Sequence, residues 1–378
     1  MAAPMIRRIL CRQLIKYSTF SRARNGCKYT TVTGLTPTVK TALFGTSLAF
    51  LGFNVKKETL SEHDQVRKLV SRGINAKDFN NIKEASEAFH EALKLSTDFF
   101  KEKKITNEEH LNHRVFIYDQ IANMALDHGD FKVAEEVFKQ TMKLAVKLGM
   151  SETDNAMIEM SLKLAGIYLF TGRVEVGVLG LDYVITEQEK KMKENESKTA
   201  TDKKVKSDKK VDLDELREEA ENTRVLLGKA YQKYGHYHLM VRDFKKAEEC
   251  MQKALSISKD VMGETDENTL VLMNDLSTCL IMMKEYEKAE LMLIDGINES
   301  RKCRSLMQSA FLSNLGALYI RVQKYPEAKN ACEKGLKIAE KGKDEFMMQP
   351  CKNCLEKLAE IEKLSQENKE AATKENDK

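Results

Sequence analysis

Eight cysteines are the residues in this chain that could form a disulfide, a metal site or a redox centre. Cys351 and Cys354 form a CxxC pair, but no second pair lies at zinc-site spacing and no strand–helix–strand pattern of a redox fold surrounds them. Cys250 and Cys332 fall on the apolar stripes of helices. The positions therefore favour small core side chains over a disulfide or metal centre. A redox protein that uses Cys351 and Cys354 stays as a minor alternative.

The histidines form two close pairs, His110-x-x-His113 and His236-x-His238. Neither pair has the i, i+4 spacing and the accompanying carboxylate of a helical zinc site, so we interpret both as surface residues or interhelical hydrogen-bond partners. The sequence contains no P-loop, GxGxxG or GxSxG motif, and its carboxylates alternate with lysines as on solvated helix faces. The sequence therefore predicts no catalytic residue, no metal ligand, no cofactor and no enzymatic activity.

The elements that carry these residues are predicted to be helices, because four prolines in 378 residues leave long segments uninterrupted. From about residue 62 to residue 339, a small residue recurs with an apolar residue four positions later and a small or apolar residue three positions after that. Such i, i+4, i+7 triplets form one stripe of a helix. They occur at Ala85/Phe89/Ala92, Ala134/Phe138/Thr141, Gly177/Leu181/Val184, Ala247/Met251/Ala254, Ala289/Leu293/Gly296 and Ala328/Cys332/Gly335.

A second motif, leucine followed by a small residue and then an aromatic or apolar one, precedes most triplets, as at Leu315-Gly316-x-x-Tyr319. Short turns lie between the two motifs, and Pro326 suits the first turn of the second helix. Paired helices in this order resemble the tetratricopeptide pattern, at a spacing longer than its usual 34 residues. We therefore predict an all-α solenoid of tetratricopeptide-type helical hairpins, with repeats 1–3 over residues 62–186 and repeats 4–6 over residues 220–340.

Two further segments belong to this predicted body. Residues 187–219 are dense in charged and polar side chains, which predicts a charged linker or a frayed helix. After the last repeat, Leu355, Leu358, Ile361 and Leu364 follow helical spacing, which predicts a C-terminal capping helix over residues 343–365. The polar residues 366–378 are predicted to form a disordered tail.

The first 57 residues contain ten basic side chains and no acidic one. Since the chain has 62 basic and 58 acidic residues, residues 58–378 carry 52 basic and all 58 acidic side chains. An acid-free, arginine-rich start predicts a disordered mitochondrial transit peptide, which we place at residues 1–38. Residues 41–55 carry no charge but span only about 22 Å as a helix, short of the ~30 Å hydrocarbon core. Residues 39–57 are therefore predicted to be a marginal membrane segment.

Stacked hairpins form a concave groove that is lined by the first helix of each pair. Six side chains are the main groove candidates, counted from the triplets: Asn123, Lys229, Gln232, Asn274, Met282 and Arg321. Five more adjoin them: Asp119, Glu159, Gly166, Thr278 and Ser313. Their mixed chemistry suits an extended or helical peptide. A net charge of +4 does not indicate a nucleic-acid binder, and we expect neither nucleic acid nor a small-molecule substrate.

Three segments carry a closer resemblance: MIEMSLKLAGIY at 157–168, KALSISKDVMGETDENTLVL at 253–272, and the long fourth helix TRVLLGKAYQKYGHYHLM. Together they resemble the mitochondrial tetratricopeptide repeat family that associates with respiratory complex III, over about residues 62–360. The resemblance implies a location at the mitochondrial inner membrane, on the matrix side. It also implies binding to complex III core subunits and to the Rieske iron–sulfur protein, whose N-terminal fragments the family helps to clear.

An alternative stays open, because Gly263-Glu264-x-x-Glu267-Asn268 also resembles a motif of kinesin light chain repeats. That resemblance implies a cytosolic cargo adaptor. It leaves the basic start of the chain and the uncharged residues 41–55 without an explanation.

Overall fold

The computed structural model describes residues 61–202 and 210–376, with side chains described for 61–195 and 217–367. This part of the chain forms thirteen α-helices and no strand, which confirms the predicted all-α solenoid. The helices are α1 Glu62–Asp78, α2 Ile82–Lys101, α3 Asn107–Asp127, α4 Phe131–Lys147, α5 Asn155–Phe170, α6 Val174–Asp202, α7 Lys210–Met240, α8 Phe244–Met262, α9 Glu267–Met282, α10 Tyr286–Lys302, α11 Met307–Arg321, α12 Tyr325–Lys341 and α13 Glu345–Asn376.

Consecutive helices pair as six hairpins, from α1/α2 to α11/α12, and α13 packs on the last pair as the predicted capping helix. The chain divides into two compact units. The first ends at Ala230 within α7, and the second begins at Tyr231. Each unit has its own buried residues, and each is described separately below.

The turn inside each of these six hairpins has the same backbone geometry. Its middle residue has a positive φ, and the next residue donates its N–H to the carbonyl oxygen five positions earlier, over 2.8–3.0 Å. This is a Schellman turn, which satisfies carbonyl groups that the ending helix leaves open. Glycine holds the middle position in two turns, and side-chain-bearing residues hold it in four: Gly129, Gly172, Asn80, Arg242, Lys284 and Gln323.

At several helix starts, side chains accept hydrogen bonds from the backbone N–H groups that have no partner within the helix. Ser61 and Asp64 form a capping box at α1, and Thr106 forms one with Glu109 at α3. Pro326 lies at the start of α12, where its missing N–H removes no helical hydrogen bond. Local sequence therefore fixes where several of the helices begin.

The predicted triplets form the core of both units. Phe89, Phe138, Leu181, Met251 and Leu293, which stand at the centre of five triplets, are each 0 % exposed. The small triplet residues permit close helix contact: a Cβ added at position 296 would overlap the Phe311 ring, and one added at position 335 would lie 2.8 Å from the Cys351 Sγ. The periodic stripe therefore marks the buried face of the second helix in each hairpin.

Most of the charged segment 187–219 is helical, because α6 continues to Asp202 and α7 begins at Lys210. Lys191 on α6 forms an ion pair with Glu219 on α7 at 2.6 Å. Asn155 donates to the Thr223 hydroxyl over 3.2 Å, which ties α5 to α7 as well. Residues 203–209 lie outside the described part of the chain.

Helix α13 runs well past the predicted end of the capping helix, so residues 366–376 are helical where the sequence predicted a disordered tail. Alanine, glutamate and lysine dominate this segment, and all three are good helix formers. Its high polarity, on which the prediction of disorder rested, does not prevent the segment from being helical.

Cys332 on α12 and Cys354 on α13 form a disulfide, with their Cα atoms 6.3 Å apart. The inference that the cysteines serve only as small core residues is therefore wrong for this pair. The error has a physical cause: a separation of 22 residues does not show that α13 packs on α12 with both side chains facing each other. Cys351 stays a buried thiol, and Cys303 is an exposed one.

The predicted transit peptide, residues 1–38, and the predicted membrane segment, residues 39–57, lie outside the described residues. Within the described ranges, no helix combines the length and the apolar character that a membrane crossing needs.

Candidate functional site

The first helices of the hairpins in the first unit, α1, α3 and α5, carry a row of polar side chains. Lys77 on α1 donates to the Gln120 side-chain oxygen on α3 over 3.1 Å. On α5, Lys163 pairs with Glu159 at 2.9 Å, and the Glu159 side chain is only 7 % exposed. We call these residues, together with Asp119 and Asn123, the first polar row.

Asp119 on α3 is the most buried acid of this row, at 4 % exposure. Its carboxylate accepts a hydrogen bond from Asn123 over 2.9 Å and one from Gln120 over 3.3 Å. Burial raises the pKa of Asp119, and the positive charges of Lys163 and Lys77 act in the opposite direction. The first polar row thus places acidic, basic and amide groups close together on α1, α3 and α5.

A second polar row lies on α9 and α11 in the second unit. The Asn314 side-chain amide donates to the Asn274 side-chain oxygen over 2.9 Å and to the Thr278 hydroxyl over 3.2 Å. At the ends of the same two helices, the Arg321 guanidinium lies 4.0 Å from the Met282 sulfur. Met282 is 40 % exposed and Arg321 is exposed as well. This end of the row can therefore contact another molecule.

The structure distributes the six main groove candidates over the two units. Asn123 and Lys229 belong to the first unit, while Gln232 and the other three belong to the second. Lys229 and Gln232 are half-buried on α7. Asn123 and Asn274 are buried at 3 % and 6 % exposure, and each forms hydrogen bonds with neighbouring protein groups. These two asparagines are therefore engaged inside the protein, whereas Met282 and Arg321 reach solvent.

Sequence reasoning missed five residues of the two rows and their surroundings: Lys77, Gln120, Lys163, Asn314 and Asp275. Asp275 on α9 binds His236 on α7 at 2.7 Å, so the histidine is an interhelical partner, one of the two interpretations above. A usable signal existed for Asn314, because it follows Asn274 by 40 residues, about one repeat. A search for polar residues repeated at that spacing would have found the pair.

The chemistry of these rows is that of non-covalent recognition. Amides donate and accept hydrogen bonds, the guanidinium offers a fixed positive charge, and the thioether offers a soft apolar contact. No cluster of three or more metal-binding side chains occurs among the residues that the structure describes. In the second unit, α9 and α11 offer groups of all three kinds to a polypeptide.

Comparison with known proteins supports the repeat architecture. Tetratricopeptide repeat family models match residues 222–298 and 310–341. The apo form of RapI, a solved structure, superposes with a TM-score of 0.53 at 14 % identity, covering 81 % of this chain and 77 % of that one. At this identity the likeness concerns the fold alone.

Two relatives extend the similarity through most of the chain, and both are named tetratricopeptide repeat protein 19, mitochondrial. The human protein is 34 % identical over 282 residues, which cover 75 % of this chain and 68 % of the relative. The rat protein is 32 % identical over 283 residues, covering 75 % and 71 %. An identity of this size over so much of both chains leads to one conclusion. The chain belongs to the family of tetratricopeptide repeat protein 19, mitochondrial.

Proposed function

We propose that this chain is a non-catalytic adaptor of mitochondria that binds respiratory complex III through its inner helices. The observation that carries the proposal is membership of a family whose relatives are named mitochondrial, over 75 % of the chain. The two polar rows supply a surface of suitable chemistry, with Met282 and Arg321 open to a partner. The basic, acid-free N-terminus adds support from the sequence for import into the organelle.

In this proposal the adaptor works on the matrix side of the inner membrane. It binds complex III core subunits and extended segments of the Rieske iron–sulfur protein, and it promotes clearance of Rieske fragments so that the complex stays intact. A groove of polar side chains holds an extended segment by hydrogen bonds to its main chain. Capture of a fragment lowers its free concentration near the complex, which reduces its rebinding.

A pull-down from mitochondria in gentle detergent tests the partner. The full chain is compared with a double variant, Lys229→Glu and Arg321→Glu, which reverses one charge in each unit. The matched control reverses two exposed lysines on second helices, Lys143→Glu and Lys329→Glu. We expect complex III core subunits and Rieske N-terminal peptides with the natural chain and the control, and a clear loss with the double variant that keeps its helical circular dichroism. Equal capture by all three chains would remove the groove from the proposal.

A second experiment tests the location. Residues 1–60 are fused to a fluorescent protein, and a matched fusion replaces Arg7, Arg8 and Arg12 by glutamine. We expect mitochondrial fluorescence from the first fusion and diffuse fluorescence from the second. Diffuse fluorescence from both would favour the cytosolic adaptor of the kinesin light chain type.

A further inference from the structure

Three histidines, a serine and a glutamate form a continuous hydrogen-bonded chain across α1, α2 and α3. His63 Nε2 lies 2.9 Å from the Glu109 carboxylate, and His63 Nδ1 lies 2.9 Å from His113 Nε2. His113 Nδ1 lies 3.0 Å from the Ser96 hydroxyl, which lies 2.9 Å from His110 Nδ1. The pair His110 and His113 is thus an interhelical hydrogen-bonding group. We call these five residues the histidine chain.

The direction of each hydrogen bond in the histidine chain can be derived from the charge state of the Glu109 carboxylate. This carboxylate also accepts the Thr106 backbone N–H over 2.6 Å, and this bond and the contact with His63 lower the pKa of Glu109 to about 2. An ionised carboxylate only accepts, so the proton between Glu109 and His63 is on His63 Nε2. If His63 is neutral, its Nδ1 must accept from His113 Nε2–H.

The same rule determines the rest of the chain. A neutral His113 that donates from Nε2 accepts at Nδ1, so the Ser96 hydroxyl must donate to it. Ser96 has a single hydroxyl proton and must therefore accept from His110 Nδ1–H. Every hydrogen bond then points toward Glu109, and all three imidazoles are neutral. The reverse order needs one more proton, and it places a positive charge on His63.

We propose that the histidine chain is a proton relay that takes up one proton by reversing all of its internal hydrogen bonds. A proton binds His110 Nε2, and His110 passes its Nδ1 proton to the Ser96 oxygen. Ser96 passes its hydroxyl proton to His113 Nδ1, and His113 passes its Nε2 proton to His63 Nδ1. Each transfer breaks one N–H or O–H bond and forms another, so no oxidant or reductant takes part. The charge of +1 rests on His63, next to the Glu109 carboxylate.

The surroundings of the relay favour this final position of the charge. His110 and His113 are 7 % and 3 % exposed, and burial lowers the pKa of both, that of His113 to about 4. Arg114 on α3 further opposes a positive charge on His110. Helix α2 contributes the Ser96 hydroxyl and the Phe100 ring, which stacks on His110 at 5.0 Å, and both groups are uncharged. The His63 side chain is 33 % exposed and lies 2.9 Å from the Glu109 carboxylate, so it is the best of the three imidazoles for the positive charge.

The relay has a consequence for the first unit. The three helices that it joins keep every hydrogen bond of the chain when one proton is added, and the His63–Glu109 contact becomes an ion pair. Independent titration would instead break a bond as soon as a buried imidazole became a double donor. The histidine chain can thus take up one proton without loss of the hydrogen bonds that join α1, α2 and α3.

Nuclear magnetic resonance of the full chain with ¹⁵N-labelled histidine tests the relay, because long-range couplings report the tautomer of each ring. Before the histidine chain takes up a proton, we expect Nδ1–H on His110 and Nε2–H on His113. After uptake of one proton we expect both tautomers to be reversed and the positive charge to lie on His63, with all of these changes at a single pH. His236, whose ring lies 2.7 Å from the Asp275 carboxylate in the second unit, stands outside the relay and serves as the internal control for the spectra.

Ser96→Ala removes the hydroxyl that joins the two halves of the chain. We expect His110 to keep its tautomer on acidification of this variant, and Ser96→Thr to restore the coupled reversal. Two results in the natural protein would overturn the relay: tautomers of His110 and His113 that stay unchanged when His63 gains a proton, or a positive charge on His113 when the first proton is taken up. These spectra decide the question even if the Ser96 variants fail to fold.

Discussion

At the scale of single residues, the contact between α10 and α11 depends on one missing methyl group. A Cβ at Gly296 would overlap the ring of Phe311, which is fully buried. We expect Gly296→Ala to lower the free energy of unfolding by about 1–3 kcal/mol, because an overpacked core must shift. Urea unfolding measures the change. Asp295→Ala, at the exposed neighbouring position of the same helix, is the control and should cost little.

The buried imidazole of His113 predicts the acid sensitivity of the first unit. Its pKa falls from 6.5 to about 4, mainly through burial, and then through His63 and His110. Because the folded pKa lies below the unfolded one, the stabilisation is complete above pH 6.5 and is lost as the pH falls towards 4. Unfolding free energies between pH 7.5 and 4 should fall less steeply in His113→Gln than in the natural chain. The exposed His90 gives the control variant, His90→Asn; a slope equal to that of the natural chain in both variants would contradict the prediction.

At the scale of elements, the shared hairpin turn predicts a backbone effect that is separate from packing. Gly172 has φ near +85°, and an added Cβ would meet nothing within 4 Å. Gly172→Ala should therefore lower the free energy of unfolding by about 1 kcal/mol, through the left-handed conformation alone. Gly172→Asn should cost less, since asparagine tolerates this conformation better. Thermal unfolding compares the two, and equal losses would argue against the backbone as the cause.

The sequence predicted the elements where the physics is local. A periodic stripe determines which helix face is buried, and glycine at positions 129 and 172 indicates a turn. The turn at Arg242 carries no such signal, because arginine has no preference for the positive φ that it adopts there. The Cys332–Cys354 disulfide could not be predicted from the sequence, because it depends on how α13 packs on α12.

The candidate site was less predictable than the fold, because a helical position states which face a side chain lies on but not what it binds. Asn274 lies on α9, the first helix of its hairpin, and its side chain accepts a hydrogen bond from Asn314 of the next repeat. Asn123 bonds within its own helix, to the Asp119 carboxylate and main chain. Met282 and Arg321 lie at helix ends, where fewer neighbours can bury them. These two residues chosen from the sequence are therefore exposed to solvent.

At the scale of the whole molecule, an array of hairpins transmits stability mainly between neighbours. The Cys332–Cys354 disulfide closes a loop of 22 residues at the C-terminal end, which a loop-entropy argument values at roughly 3 kcal/mol. Cys354→Ser should therefore speed amide hydrogen exchange in α11, α12 and α13, while α1–α4 keep their rates. The exposed Cys303→Ser is the matched control. Uniformly faster exchange along the chain would mean that the array unfolds as one unit.

The hairpin turns also indicate how this family can be made more heat-tolerant. Arg242, Lys284 and Gln323 hold left-handed positions with exposed side chains. A left-handed conformation costs such residues about 1–2 kcal/mol, against about 0.5–1 kcal/mol of extra chain entropy for glycine. Three glycine substitutions would thus each add a fraction of a kcal/mol, at places where no side chain is buried. A sturdier chain of this kind would extend the shelf life of purified material and ease the growth of crystals with a bound partner.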